Sequence, residues 1–187
     1  MNITIVGPRS VGKSTLSKIL ASKLKLRYVE SDALMNDELK EHGGLTEVIG
    51  KGKTEIIMRV GPRVVSDVLS QNNLIYDLAG GALSSIKGTR MGVCQKIINT
   101  INKRSIVIGL LPSKNDEESV KLLYNRERKR LHFKGMSSKE LRLKVEEDYL
   151  RLKPVLKKTA DIMIYAGKRK PAHIIEEIIK KMNKLNN

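Results

Sequence analysis

The segment Gly7-Pro8-Arg9-Ser10-Val11-Gly12-Lys13-Ser14 fits the pattern G-x-x-x-x-G-K-S/T, and it constrains the fold more than any other feature of the chain. The pattern works only where a strand turns into a helix. There, backbone N–H groups and a helix N-terminus converge on an anion, a lysine reaches the terminal phosphates, and a hydroxyl holds Mg²⁺. The flanking residues supply that context. Ile3, Ile5 and Val6 make a short β-rich run that stops at Gly7-Pro8, and Leu16, Ile19, Leu20 and Leu24 follow at helical spacing. A nucleoside triphosphate and Mg²⁺ are therefore expected, with Gly7, Ser10, Val11, Gly12, Lys13, Ser14 and Thr15 around the phosphates and the Ser14 hydroxyl on the metal.

The rest of the chain alternates in the same manner. Apolar runs at Arg27–Glu30, Leu74–Asp77, Ser105–Leu111 and Ile162–Tyr165 read as four further strands. Helical patterns lie between them, notably Arg63–Leu69 and Val93–Ile101, and the last helix after Pro171 repeats Ile174, Ile175, Ile178, Ile179 and Met182 on one face. Strands alternating with helices predict an α/β fold: three α/β/α layers around a five-stranded parallel sheet. Gly43–Lys53, with four glycines and no clear period, reads as a flexible stretch over a site. The densely charged Asn125–Lys144, which holds the single phenylalanine, reads as a mobile basic lid.

Composition narrows the class. At 187 residues the chain can bury one core, so a single domain spanning 1–187 is expected, with a lid at about 112–140 and an acceptor-binding region at about 33–62. One cysteine, Cys94, cannot build an internal disulfide, and no apolar run is long enough to span a membrane. A cytoplasmic protein is expected. Lys+Arg 36 against Asp+Glu 20 gives +16, which suits either a solvated lysine-rich surface or a polyanionic partner. Aromatic residues are few and the lysines are scattered, so the charge is assigned to the surface and no nucleic-acid partner is expected. The absence of an Asn-Lys-x-Asp motif argues against a GTPase, and the chain length against a motor. Transfer to a small acceptor remains.

From the loop onward the order of features resembles the shikimate kinase family, small P-loop enzymes of the nucleoside-monophosphate-kinase-like group. Five matches carry the resemblance: Gly7–Leu26, Tyr28-Val29-Glu30-Ser31-Asp32, Met58-Arg59, Ala79-Gly80-Gly81 and Arg126-Glu127-Arg128-Lys129-Arg130-Leu131. Arg151-Leu152-Lys153-Pro154 and Ala160-Asp161 resemble later family segments. The resemblance implies ATP as phosphoryl donor, Mg²⁺, and a small anionic acceptor, with shikimate converted to shikimate 3-phosphate. It implies Asp32 on the acceptor hydroxyls as candidate base, Glu30 near Mg²⁺, and Arg59, Gly80, Gly81 and Arg151 on the acceptor. Arg130 becomes the lid arginine that closes on the ATP phosphates, joining Lys13 and Asp32 as a catalytic candidate. A monomer is expected.

The departures from the family gather where the acceptor would sit. Pro62 replaces a usual glutamate, Ala79 replaces a glycine, no proline follows Arg130, and Leu152 occupies the position of the second substrate arginine, leaving Arg151 out of register by one. The stretch from Gly81 to Ile106 is also longer than usual. A nucleoside or nucleoside-monophosphate kinase on the same fold is the alternative, in which Asp77 could serve Mg²⁺. A nucleotide-gated nucleic-acid-binding protein is a further one.

Overall fold

Every residue of β1 (Asn2–Val6) is buried, the mark of a strand with helices over both faces. The computed structural model describes residues 1–83, 90–130 and 135–185. After β1 come α1 (Lys13–Leu24), β2 (Arg27–Glu30), α2 (Ser31–Glu38), a 3₁₀ turn (Lys40–His42), α3 (Leu45–Gly50), α4 (Thr54–Leu69) and β3 (Leu74–Asp77). The second half holds α5 (Arg90–Arg104), β4 (Ile106–Leu111), α6 (Asp116–Glu127), α7 (Ser138–Thr159), β5 (Ile162–Tyr165) and α8 (Pro171–Leu185). The strands form one parallel sheet in the order β2-β3-β1-β4-β5. Ile3 stands opposite Ile75 on one side and Ile106 on the other, and Ile5 opposite Asp77 and Ile108.

Connections toward opposite edges put their helices on opposite faces, because each parallel crossover is right-handed. α1 runs from β1 to the β2 edge and packs with α8, while α5 runs from β3 to β4 and packs with α4. The two layers bury an aliphatic core, with Ile3, Ile5, Leu20, Ile75, Ile101, Ile108 and Ile178 at 0% exposure. Each fully buried side chain of this size contributes on the order of 2 kcal/mol. The chain leaves β1 toward one edge and β4 toward the other, so a crevice opens at the carboxyl ends of the central strands.

Two segments differ from the sequence reading. Gly43–Lys53 is mostly helix: Gly43 and Gly44, at φ 85 and 88, end the 3₁₀ turn and start α3, and Val48 is buried. Within Asn125–Lys144, α6 continues to Glu127 and α7 begins at Ser138 behind a capping box, in which the Ser137 hydroxyl accepts from the Glu140 N–H and the Glu140 carboxylate from the Ser137 N–H. Leu131 and Phe133 lie outside the described residues. Among the described residues no helix is long and apolar enough to cross a membrane.

Candidate active site

The loop after β1 is built around close backbone approach. A Cβ on Gly7 would stand 2.7 Å from the Leu110 carbonyl oxygen of β4, so no larger residue fits there. Gly12, at φ 108, turns the chain into α1, whose N-terminus carries no side-chain cap. Its first N–H groups are thereby left for an anion. Lys13 folds back over the loop, and its Nζ donates to the carbonyl oxygens of Gly7 at 3.1 Å and Pro8 at 3.2 Å. Burial pulls the Lys13 ammonium below its ordinary value; Asp77 and Asp32 oppose that shift, and Arg9 and Arg130 add to it.

From outside the loop, α6 supplies two fasteners. Arg126 donates from Nη1 to the carbonyl oxygens of Ser10 at 3.1 Å and Val11 at 3.0 Å, and from Nη2 to that of Gly167 at 2.8 Å. Glu127, 2% exposed, accepts a hydrogen bond from the Ser10 hydroxyl and pairs with Arg9 Nε at 3.6 Å. Sequence reading placed both residues in a basic lid segment. Their inward roles show only once α6 is docked against the loop.

Facing Lys13 are the acids. Asp77 ends β3 opposite Glu30, the last residue of β2. It is 4% exposed, and Tyr28 Oη donates to its Oδ2 at 3.3 Å. Burial pushes the Asp77 carboxyl above the usual carboxylate range, the Ser14 hydroxyl and Lys13 hold it down, and Glu30 pushes it up. The Ser14 hydroxyl and the carboxylates of Asp77 and Glu30 form an all-oxygen donor set. That set fits Mg²⁺, which takes one or two carboxylates and fills its remaining positions with water and phosphate oxygens.

Asp32, in the first turn of α2, lines the same cavity from the side. The cavity encloses about 390 Å³. At one end lie Ser10, Gly12, Lys13, Ser14, Thr15 and Arg130; at the other, Met35, Leu45, Ile49, Ile57, Met58 and Val65 from α2, α3 and α4. Tyr76 forms part of its wall, and burial pushes that phenol up to about 12. Gly80 and Gly81 line it beside Arg9. The structure thus brings together Lys13, Ser14, Thr15, Glu30, Asp32, Gly80, Gly81 and Arg130 of the expected site, while Gly7 and Val11 form the buried underside of the loop. Arg59 and Arg151 stand apart. Arg59 is exposed and does not line the cavity, although its neighbour Met58 does. Arg151 is exposed and does not line the cavity, and its Nη2 bonds Asp148 Oδ1 at 2.6 Å.

A five-stranded parallel sheet, a phosphate loop and an acid-lined cavity beside it define a small P-loop kinase. The shikimate kinase family model matches residues 9–183, and the chain belongs to that family. It is 26% identical over 183 residues to the shikimate kinase of Sulfurihydrogenibium sp., covering 98% of each chain. To the shikimate kinase of Buchnera aphidicola subsp. Baizongia pistaciae it is 24% identical over 184 residues, covering 97% of this chain and 96% of the relative. The fold is similar to that of the Acinetobacter baumannii shikimate kinase solved with shikimate, at a TM-score of 0.79 and 18% identity, over 98% of this chain and 93% of that one.

Proposed function

We propose that this protein transfers the terminal phosphoryl group of ATP to a ring hydroxyl of shikimate, giving shikimate 3-phosphate and ADP. The observation that carries the reading is the single cavity in which a phosphate loop, a buried Asp77 and an exposed Asp32 meet, in a chain of the shikimate kinase family. Lys13 and the N–H groups from Ser10 to Thr15 hold the phosphates. Asp32 orients the acceptor hydroxyl and takes its proton as the O–P bond forms, and the bond to ADP breaks in line. Ser14, Asp77 and Glu30 would hold Mg²⁺, which when bound would neutralise charge on the phosphate oxygens.

Arg130 reaches the same oxygens from the segment between α6 and α7. Such transfer rests on positioning and charge neutralisation, so each of these groups acts by where it stands. The chain works as one domain, with 33–62 supplying most of the acceptor wall.

ADP release coupled to a reporter enzyme tests the reading. Shikimate-dependent turnover is expected, with none from nucleosides or nucleoside monophosphates. Turnover on AMP, CMP or a nucleoside but not on shikimate would overturn it.

A further inference from the structure

An acid acceptor needs a cation at its carboxylate, and the cations lining the cavity are few. Among the described lining residues they are Lys13, Arg130 and Arg9. The first two face the phosphate end. Arg59 does not line the cavity, and Arg151 lines neither this cavity nor its smaller neighbour and is paired with Asp148. Leu152, which does face inward, carries no charge. It lines a second, smaller space with Arg9, Gly80 and Gly81, and with Lys144, whose ammonium is paired with Asp148 at 3.4 Å.

Arg9, Gly80 and Gly81 line both spaces, and of the three Arg9 alone carries a charge. Its backbone N and its Cγ lie 3.0 and 3.2 Å from where a Cβ on Gly80 would stand, so the absence of a side chain at Gly80 is what admits the arginine stem. The buried Glu127 carboxylate pairs with Nε from behind. The Arg9 side chain remains 48% exposed and lines the smaller space along with the glycines and Leu152.

We infer that Arg9, a residue of the phosphate loop itself, binds the carboxylate of the acceptor in this protein, with Glu127 as the residue that positions its guanidinium. The inference rests on the reading of the acceptor as shikimate. A guanidinium suits the task because its fork matches a carboxylate and its charge persists at any working pH. The loop then holds both substrates: Lys13 the donor's phosphates, Arg9 the acceptor's acid group.

The test compares shikimate with its methyl ester, which lacks the charge, in the unaltered protein and in the Arg9→Met and Arg9→Lys variants. Arg9→Met is expected to raise KM for shikimate by about 10- to 100-fold, to leave KM for ATP within about twofold, and to change KM for the ester little. Arg9→Lys restores part of the loss with shikimate alone. Nucleotide binding by each variant reports that the loop is folded, and Arg9→Gln answers the same question if Arg9→Met does not fold. Unchanged KM for shikimate in the Met or Gln variant, or an equal rise for shikimate and its ester, overturns the inference while leaving the shikimate reading intact. No turnover of shikimate by the unaltered protein overturns that reading, and the inference with it.

Discussion

Burial disfavours the charged forms of both Lys13 and Asp77, and in the proposed complex bound phosphates would offset it for the lysine and bound Mg²⁺ for the aspartate. The sign is readable for each. The Lys13 ammonium titrates below its ordinary 10.5 in the free protein and is raised again by bound phosphates, so ATP affinity is expected to fall as pH rises through the free-protein value. Measured Kd against pH checks this, and in Lys13→Met the alkaline limb disappears along with a rate loss of about 10²–10³-fold. Asp77 must be ionised to hold a cation. Its carboxyl titrates above the usual carboxylate range, so the acid limb of kcat/KM is expected above pH 3.8, and Asp77→Asn abolishes turnover at every pH. Glu127→Ala removes the partner of the buried Ser10 hydroxyl and is expected to cost about 1–3 kcal/mol in urea unfolding. Neither Glu127 nor Asp77 stands out in the sequence as Lys13 does. The lysine belongs to a fixed motif, Asp77 reads from sequence only as a candidate Mg²⁺ residue in the nucleoside-kinase alternative, and Glu127 gains meaning only from the docking of α6.

At the scale of elements, all five strands and the motif-bearing loop were legible, because each buried run is short, apolar and bounded by Gly, Pro or polar residues. α3 was not. Six residues hold too little periodic signal, and the surrounding glycines read as flexibility, although Gly43 and Gly44 serve as its left-handed entry. α7 was obscured by its charges and by Pro154 within it, yet Leu141, Tyr149, Leu152 and Leu156 form its buried face. The capping box at its start contributes measurably: Ser137→Ala is expected to destabilise the protein by about 1 kcal/mol in denaturant unfolding. The acceptor wall is likewise an element-level property. Met35, Leu45, Ile49, Ile57 and Met58 come from three helices between β2 and β3, and no local motif announces their convergence.

For the whole molecule, a net charge of +16 on one compact fold acts as self-repulsion and as a field that attracts nucleotide. Salt screens both at exposed sites, with a Debye length of roughly 8 Å at 0.15 M. Raising salt from about 0.02 M to 0.15 M is therefore expected to raise Tm while lowering kcat/KM for ATP. A Tm that falls over that range would show that surface ion pairs such as Arg63–Glu38 and Arg169–Glu177 outweigh the repulsion. The bridge made by Arg126 has a different kind of consequence. One guanidinium stitches Ser10, Val11 and Gly167, segments more than a hundred residues apart, into a single rigid mould. A loop already set before the phosphates arrive loses little conformational freedom on binding. Cutting that stitch with Arg126→Met should leave the heat of nucleotide binding nearly intact and appear in calorimetry as a larger entropic penalty.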